Sequence, residues 1–334
     1  MATEQVVGGD YKHNEFLLRE PPSDGISSLC FAPSTDMLLV ASWDAALHLY
    51  DVWQNTPRGE FKGRGALLDC CFQDANKGFC GGLEKTVKMI DFETGSERVL
   101  GAHDKALRCV DYHAASGTVL TGGWDGYLKA WDARQPQPLA QSTRLPGKVF
   151  TMSVSESRVV VGTSGRHVYI YDPRSLAEPV QRRESSLKYQ TRCTRVFTDG
   201  TGYALSSVEG RVAVEYFDRS QEGQSRKYAF KCHRRGTQVF PVNAMTFHPV
   251  YGTFATGGCD KVVNVWDGQN KKRLWQSTPY PTSVAALAFN HDGSRLAIAS
   301  SYTFEDGNIE HPKDQIFIRD INDSDVRPKA RKAA

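Results

Sequence analysis

The chain has 334 residues, of which 40% are hydrophobic and 24% are charged, and its formal net charge is +3. This composition is typical of a soluble globular protein, and so mild a charge gives no support for nucleic-acid binding. No run of apolar residues approaches the roughly 18 that a membrane span requires. The polar residues 1–19 lack the apolar stretch of a signal peptide.

One pattern of three strands recurs seven times along the chain and predicts an all-β fold. Each copy has an apolar strand, a second strand that ends in small residues, a turn, and a third strand that ends in Asp. The final acids are Asp51, Asp91, Asp132, Asp172, Asp218, Asp267 and Asp320. The first three spacings, 40, 41 and 40 residues, match the roughly 40–45 residue period of a WD40 blade. We therefore predict a seven-bladed WD40 β-propeller.

Recurring polar side chains fit the same fold. In the third copy they are His103, Thr121, Asp125 and Trp131, and in the sixth they are His233, Thr256, Asp260 and Trp266. A hydrogen-bonded chain of these four groups holds one blade geometry. Because the set repeats with the blades, we interpret it as structural and not as catalytic.

A propeller must close, or it leaves an exposed sheet edge. The seventh copy supplies three strands, and we expect residues 15–19 to add its outer strand. The predicted domains are a lead at 1–14, a propeller at 15–321 and a basic tail at 322–334. Its last residues, RPKARKAA (327–334), are a weak nuclear signal or a disordered end, and we favour disorder. The insertions 302–314 and 234–241 are binding loops or solvated loops.

No motif for catalysis, nucleotide binding or metal binding is present, so we expect no enzymatic activity, no cofactor and no metal. The eight cysteines have no zinc spacing. Several lie inside apolar strands, which favours buried, reduced thiols over disulfides.

Departures from the repeat indicate where a partner binds. When the copies are aligned on the end of their first strand, six carry an aliphatic residue five positions earlier and the fifth carries Arg192. Such local conflicts gather at functional sites. Arg211 follows the next turn of this copy, and Lys231 ends its fourth strand. We expect all three cations to converge around one point near the top of blades 5 and 6, where they suit an acidic or phosphorylated peptide. The alternative is an ion pair with Glu209 or Glu215.

Trp43 and Trp124 precede the turn acids of the first and third copies. An exposed Trp on a rigid rim is typical of a binding hot spot. Packing between neighbouring blades is an equally good explanation.

Four segments of the sequence resemble a known family. They are QRRESSLKYQTRC (181–193), SSVEGRVAVEYFD (206–218), KYAFKCHR (227–234) and LAIASSY (296–302). They are similar to the non-kinase WD-repeat family of the Bub (budding uninhibited by benzimidazole) group, and the likeness runs from residue 21 to residue 320. The lead at 1–14 looks longer than usual, and Glu84 replaces the turn Asp of the second copy.

This resemblance implies a scaffold of the spindle assembly checkpoint. Such proteins bind the GLEBS motif, a short acidic segment of the Bub checkpoint kinase and of its pseudokinase-like relative. They dock these partners on phosphorylated MELT repeats of a kinetochore scaffold, and the relative joins the mitotic checkpoint complex that inhibits the anaphase-promoting complex. The implied locations are the nucleus, the kinetochore in mitosis and the cytoplasm, and no membrane or direct nucleic-acid partner is implied.

The resemblance also assigns roles to residues by motif. Arg192 matches a GLEBS-contacting Arg, and Arg211 and Lys231 match a phosphothreonine-binding pair. Trp43 and Trp124 match aromatic residues that pack on the GLEBS partner. The alternative is the sister family of mRNA-export WD-repeat proteins, which bind a GLEBS motif in a nucleoporin and share KYQ-x-R and EGRVA.

Overall fold

The computed structural model describes residues 14–329. These residues form seven four-stranded antiparallel sheets, arranged as the blades of a closed propeller. The first strand of each blade lies innermost, and the innermost strands contact their neighbours in an unbroken cycle that includes blades 7 and 1. The predicted seven-bladed WD40 propeller is confirmed. We call the face at which the innermost strands begin the top face.

The strands follow the predicted repeat closely. The chain enters through β1 (Glu15–Leu17). Blade 1 contains β2 (Ile26–Phe31), β3 (Met37–Ser42), β4 (Ala46–Asp51) and β5 (Thr56–Lys62). Blade 2 contains β6 (Leu67–Phe72), β7 (Lys77–Gly82), β8 (Thr86–Asp91) and β9 (Glu97–Ala102). Blade 3 contains β10 (Leu107–His113), β11 (Thr118–Gly123), β12 (Tyr127–Trp131) and β13 (Leu139–Arg144). Blade 4 contains β14 (Val149–Val154), β15 (Val159–Thr163), β16 (His167–Tyr171) and β17 (Gln181–Glu184).

The later blades carry the longer connections. Blade 5 contains β18 (Thr191–Val196), β19 (Gly202–Ser207), β20 (Arg211–Tyr216) and, after the helix α1 (Gln221–Ser225), β21 (Tyr228–Lys231). A hairpin of β22 (Arg234–Arg235) and β23 (Gln238–Val239) fills the predicted insertion 234–241. Blade 6 contains β24 (Val242–Phe247), β25 (Phe254–Gly258), β26 (Val263–Asp267) and β27 (Lys272–Gln276). Blade 7 contains β28 (Val284–Phe289), β29 (Arg295–Ser300) and β30 (Gln315–Asp320), and α2 (Asp323–Val326) follows it.

The two ends of the propeller share blade 7, as predicted. Strand β1 pairs antiparallel with β30, and Phe16 stands opposite Ile318. The observed strand ends at Leu17, and the next residue, Leu18, is buried against blades 7 and 1. This pairing removes the free edge of β30, which would otherwise offer unpaired backbone groups to other chains.

The predicted polar network is present in blade 3. His103 Nδ1 lies 3.0 Å from an oxygen of Asp125, and its Nε2 lies 2.9 Å from Thr121 Oγ1. The indole N–H of Trp131 donates to the same hydroxyl at 2.8 Å. Blade 6 repeats the network through His233, Asp260, Thr256 and Trp266, with distances of 2.7, 2.8 and 2.9 Å. The four side chains of each set are hydrogen-bonded to one another, which confirms the structural interpretation.

Glu84 serves blade 2 in a similar way to the turn Asp that it replaces. Its carboxylate accepts a hydrogen bond from the backbone N–H of Arg64 and pairs with Lys88 at 3.1 Å. The longer side chain therefore still connects the turn to the start of the blade.

Polar side chains inside the central channel join one blade to the next. Asp69 accepts a hydrogen bond from the backbone N–H of Val110 at 2.9 Å, and Asp111 accepts one from Val154 at 2.9 Å. They satisfy backbone groups that the sheets leave unpaired. Burial raises the pKa of Asp111 to about 6, despite this hydrogen bond.

The cysteines are free thiols, and all except Cys30 are buried. Burial raises the pKa of Cys109 to about 12, so this thiol is a poor nucleophile. The burial of seven of the eight cysteines agrees with the prediction of buried, reduced side chains.

The segment after blade 7 returns to blade 6. Thr253 Oγ1 donates a hydrogen bond to the carbonyl of Val326 at 2.7 Å, and the Val326 side chain is buried. The first part of the predicted tail is therefore packed. Residues 330–334 of that tail and residues 1–13 of the lead lie outside the described residues. No helix within residues 14–329 is long and apolar enough to cross a membrane.

Candidate functional site

A β-bulge near the start of each innermost strand shapes the top of the channel. Residues 14–329 form seven blades. In each blade the innermost strand pairs with the second strand, and the register of this pairing shifts directly after the first residue of the innermost strand. The residue inside the shift is left out of the ladder. These residues are Ser27, Leu68, Arg108, Phe150, Arg192, Asn243 and Ala285, and all seven line one cavity of about 410 Å³ at the top face. We call this cavity the channel mouth.

The register corrects the alignment that singled out Arg192. Thr191 pairs with Ser207 as Ile26 pairs with Ser42, so Thr191 is the true counterpart of the aliphatic residues. Strand β18 ends at Val196. The sequence alignment took Phe197 as the end of this strand and therefore shifted the fifth copy by one residue. Arg192 is therefore a bulge residue of the channel mouth. The expected conflict with a buried aliphatic position was wrong.

Arg192 is a partly buried cation at this mouth. Its guanidinium donates hydrogen bonds to Asn243 Oδ1, at 2.9 Å from Nη2 and 3.3 Å from Nε. Burial lowers the pKa of Arg192, and the nearby cation of Arg108 acts in the same direction. Within residues 14–329 no carboxylate forms an ion pair with Arg192. Glu305 acts on this cation only from a distance, and a partly desolvated cation without a direct ion pair is energetically suited to receive an acid from a partner.

Trp43 and Trp124 line the same mouth as Arg192. Trp43 is 51% exposed, as a binding residue requires. Trp124 is partly buried, and its indole Nε1 has no hydrogen-bond partner among residues 14–329. Lys148 of blade 4 lies over the Trp124 ring, with Nζ 5.8 Å from the centroid. Trp124 thus contacts the segment that leads into blade 4 and also lines the channel mouth.

Sequence reasoning missed three further residues of the mouth, Arg108, Phe150 and Phe304. The bulge would have indicated the first two, since each follows the first residue of its innermost strand. Phe304 comes from the insertion 302–314 and is 61% exposed. That loop has no repeat to fix its position, but the structure places its beginning beside the channel mouth.

The predicted phosphothreonine-binding residues lie farther out on blade 5. Arg211 stands directly opposite Lys231 on the neighbouring strand, and Ser207 connects Arg211 to Thr191 across the sheet. Because adjacent strands lie about 4.8 Å apart, the backbones of Arg211 and Lys231 are roughly 10 and 14 Å from the innermost strand. The structure brings these two cations together. It does not bring Arg192 to the same point, which corrects the expected three-way convergence.

Blade 5 is unusual at this register position. In each of blades 1–5 the first residue of the third strand pairs with a residue of the fourth strand. The pairs are Ala46–Lys62, Thr86–Ala102, Tyr127–Arg144, His167–Glu184 and Arg211–Lys231. Among these five, the last has Arg or Lys on both strands. Like charges placed directly opposite each other destabilise a sheet, so a ligand is a good physical reason for this pair.

Acidic neighbours only partly neutralise the pair. Glu209 lies 3.4 Å from Arg211 Nε and also pairs with Arg234 at 3.7 Å. The expected alternative of an ion pair with Glu209 is therefore present, whereas Glu215 pairs with Arg183 instead. Lys231 is exposed and forms no ion pair within residues 14–329. We call Arg211 and Lys231 the blade 5 cation pair.

Comparison with known proteins also identifies WD repeats in this chain. The WD domain, G-beta repeat family matches residues 16–51, 95–132 and 224–267, which lie in blades 1, 3 and 6 and the segments that lead into them. The chain is 55% identical to mitotic checkpoint protein BUB3.1 of Arabidopsis thaliana, over 94% of this chain and 95% of that protein. It is 50% identical to mitotic checkpoint protein bub3 of Dictyostelium discoideum, over 91% and 94%. The chain belongs to the BUB3 family of mitotic checkpoint proteins.

A more distant relative is the mRNA export factor GLE2 of Chaetomium thermophilum. It is 35% identical, over 96% of this chain and 94% of that protein. The BUB3 proteins and GLE2 therefore share the whole propeller with this chain. The shared architecture therefore does not by itself separate the two groups, whereas the identities are higher to the two BUB3 proteins.

The side chains of the top face define the chemistry of this candidate site. Within residues 14–329 no group of three or more His, Cys, Asp or Glu side chains is arranged to hold a metal ion. The conspicuous side chains are cations and aromatic residues, which recognise acidic and apolar groups of peptides.

Proposed function

We propose that this protein is a spindle assembly checkpoint scaffold with two neighbouring peptide sites. The channel mouth binds the GLEBS motifs of the Bub checkpoint kinase and of its pseudokinase-like relative. The blade 5 cation pair binds phosphorylated MELT repeats of a kinetochore scaffold. Binding at both sites delivers the kinase to kinetochores and the relative to the mitotic checkpoint complex, which restrains the anaphase-promoting complex and delays anaphase. The protein acts in the nucleus, at kinetochores in mitosis and in the cytoplasm, by binding and without catalysis.

The single observation that carries this proposal is the blade 5 cation pair. A phosphothreonine brings nearly two negative charges and three acceptor oxygens, which two adjacent cations can share through charge-assisted hydrogen bonds. Glu209 already neutralises part of the positive charge at Arg211. A dianion is therefore favoured over a single carboxylate, because it brings more charge than Glu209 does.

The channel mouth supports the second part of the proposal. Arg192 lacks an acidic partner within residues 14–329, and Trp43 and Phe304 expose apolar surface around it. An acidic segment with apolar side chains matches this combination, since the cations would pair with its carboxylates while the aromatic rings pack on its apolar groups.

The phosphopeptide site is tested by titrating a labelled MELT peptide, with and without phosphothreonine, against the full-length protein. Arg211→Ala and Lys231→Ala should each weaken binding of the phosphorylated peptide by about tenfold or more, because a hydrogen bond to a charged group contributes about 1.5–3 kcal/mol. Lys62→Ala is the matched control, because Lys62 occupies the same register position in blade 1. Equal affinities for the wild type and both blade 5 variants would sink the proposed site.

The GLEBS site is tested in the same way with an acidic GLEBS peptide from the checkpoint kinase. Arg192→Ala and Trp43→Ala should lose affinity for that peptide and keep affinity for the phosphorylated MELT peptide. A loss of both activities in either variant would indicate damage to the propeller and not to one site.

The rival function is mRNA export through a nucleoporin GLEBS motif, and the 35% identity to GLE2 favours it over unrelated roles. The two functions differ in the preferred GLEBS partner. Purification of the tagged protein from mitotic cells, followed by identification of the bound chains, distinguishes them. Recovery of the nucleoporin without the checkpoint kinase would replace our proposal with the export function.

A further inference from the structure

A groove lies between blades 5 and 6 on the face opposite the channel mouth. Its volume is about 690 Å³, which is within the range of roughly 300–1,000 Å³ that ligand sites occupy. Tyr216, at the lower end of β20, lines it, whereas Arg211 begins the same strand at the top face. They are the first and last of the six residues of β20, so roughly 17 Å separates them. The groove is therefore distinct from both sites proposed above.

The floor of the groove is aromatic and spans both blades. The Phe197 ring lies 5.6 Å from that of Tyr216 in its own blade and 5.4 Å from that of Phe247 in blade 6. All three side chains are partly exposed. A continuous aromatic surface at this depth is suited to receive an apolar or aromatic side chain.

Two exposed cations border this floor. Arg226 lies over Tyr216, with Cζ 4.3 Å from the ring centroid, and Lys271 lies over Tyr228, with Nζ 4.7 Å from the centroid. Neither forms an ion pair with a carboxylate of residues 14–329. The rings hold the cations in place by cation–π attraction, so their charge stays available to an outside acid.

The lining contributes little charge of the opposite sign. Its one acid among the described residues is Asp199, and this carboxylate accepts hydrogen bonds from the backbone N–H and the hydroxyl of Thr201, at 2.9 and 2.8 Å. Asp199 is thus engaged within its own turn. Two unpaired cations remain, which makes the groove complementary to negative charge.

The insertion that lengthens the fifth repeat builds one wall of this groove. The helix α1 begins at Gln221, and the hydroxyl of Ser220 caps it by accepting a hydrogen bond from the backbone N–H of Gly223 at 3.0 Å. Arg226 follows directly after the helix. A feature of blade 5 that the repeat does not require therefore positions one of the two cations.

We infer that this groove binds a short segment of a partner protein in which an apolar or aromatic side chain stands next to acidic residues. The apolar side chain packs on Phe197, Tyr216 and Phe247. The acidic residues pair with Arg226 and Lys271. Since the top face is untouched, the protein can hold this segment and the partners of the top face at the same time.

The test uses an array of eight-residue peptides in which Phe, Tyr or Leu is flanked by Asp or Glu. Matched peptides carry Lys in place of the acids or Ala in place of the apolar residue. The labelled full-length protein, with its channel mouth saturated by unlabelled GLEBS peptide, should retain peptides of the first kind over both matched kinds. Arg226→Glu/Lys271→Glu should reduce that signal about tenfold or more, because it removes two charge-assisted contacts and adds repulsion.

Two variants keep the result interpretable. Arg226→Gln/Lys271→Gln, which removes charge without reversing it, should give an intermediate loss. Lys62→Ala should bind the array like the wild type, because Lys62 lies in blade 1, opposite Ala46, and belongs to none of the proposed sites.

Equal retention of the same peptides by the wild type and by Arg226→Glu/Lys271→Glu would overturn the inference. Retention of Lys-bearing peptides as strongly as acidic ones would overturn it too. Saturable binding of inorganic phosphate that depends on Arg226 and Lys271, without any peptide preference, would reassign the groove to small anions. Unchanged binding of the phosphorylated MELT peptide shows that each variant is folded. Loss of that binding counts against the fold or the blade 5 site, whereas loss of array binding alone counts against the groove.

Discussion

Arg211 and Lys231 face each other across the two outer strands of blade 5. Two cations at opposite positions of an antiparallel pair repel each other, which costs roughly 0.2–1 kcal/mol of stability. We therefore expect Lys231→Thr to raise the free energy of unfolding by a few tenths of a kcal/mol and to weaken binding of a phosphorylated peptide. Denaturant unfolding and peptide titration on the same samples measure both effects.

The control for both effects, on stability and on peptide affinity, is Lys62→Thr. Lys62 pairs with Ala46 in blade 1 and has no cation opposite. It should leave phosphopeptide affinity unchanged. A less stable Lys231→Thr protein would show that the blade 5 cation pair does not strain the sheet.

Glu209 competes with a phosphate for Arg211. Its carboxylate pairs with Arg211 at 3.4 Å and with Arg234 at 3.7 Å. Glu209→Gln removes that charge with little change of shape, so affinity for a phosphorylated peptide should rise about two- to fivefold, the range expected for losing an exposed ion pair. The gain should shrink as salt concentration rises. Unchanged or weaker binding at low salt would contradict a role of Glu209 as a competitor.

Trp124 has a buried indole N–H without an acceptor among residues 14–329. An unsatisfied buried donor is costly, so Trp124→Phe should leave the free energy of unfolding within about 1 kcal/mol of wild type. If a bound GLEBS segment supplies the acceptor, the same variant should bind that segment about two- to tenfold more weakly. Calorimetric titration measures the affinity. A Trp124→Phe protein with normal affinity would exclude this hydrogen bond from the complex.

Thr121 connects His103 to Trp131 through a single hydroxyl. Thr121→Val keeps the shape of the side chain but leaves His103 Nε2 and the Trp131 indole N–H without a partner. We expect a loss of about 1–3 kcal/mol in the free energy of unfolding. Thr256→Val should cost a similar amount in blade 6, where the same network occurs. A loss of only a few tenths of a kcal/mol in both variants would show that these networks contribute little.

His103 gives the propeller a pH dependence of known sign. Burial lowers the pKa of His103 from its ordinary value of 6.5, although the Asp125 carboxylate opposes the shift. The unfolded chain therefore binds more protons just below pH 6.5, and stability contributed by this group is full above that pH and is lost as the pH falls. Replacing His103 with Gln should make the protein less sensitive to a change from pH 7.5 to pH 5.5.

The comparison with the variant is needed because Asp111 acts in the opposite sense. Burial raises the pKa of Asp111 to about 6, so its contribution decreases as the pH rises from about 4 to about 6. The difference in thermal midpoint between wild type and His103→Gln, followed across this window, isolates the histidine. An identical pH profile for both proteins would exclude His103 as the source.

The sequence by itself determined the architecture of this protein. Its period, the final Asp of each copy and the two His–Asp–Thr–Trp sets recur within single copies and are therefore visible in the sequence. Strand β1 at Glu15–Leu17 was also predictable, since a closed ring must pair the outer edge of β30. Cations at the top of blade 5 were evident from their places in the repeat.

The tertiary structure alone decided how those side chains meet. A β-bulge shifts the side-chain direction by one residue. Whether Arg192 or Thr191 faces the channel therefore depended on the pairing of β18 with β19. An alignment of the sequence repeats does not contain that pairing. The distance between Arg192 and the blade 5 cation pair depends on how many strands separate them. Phe304 and Arg226 lie in insertions without a repeat, so the period does not fix their positions, and the two cavities that they line are built by contacts between different blades. Such contacts are non-local, and for this reason the channel mouth and the groove between blades 5 and 6 became visible only in the folded chain.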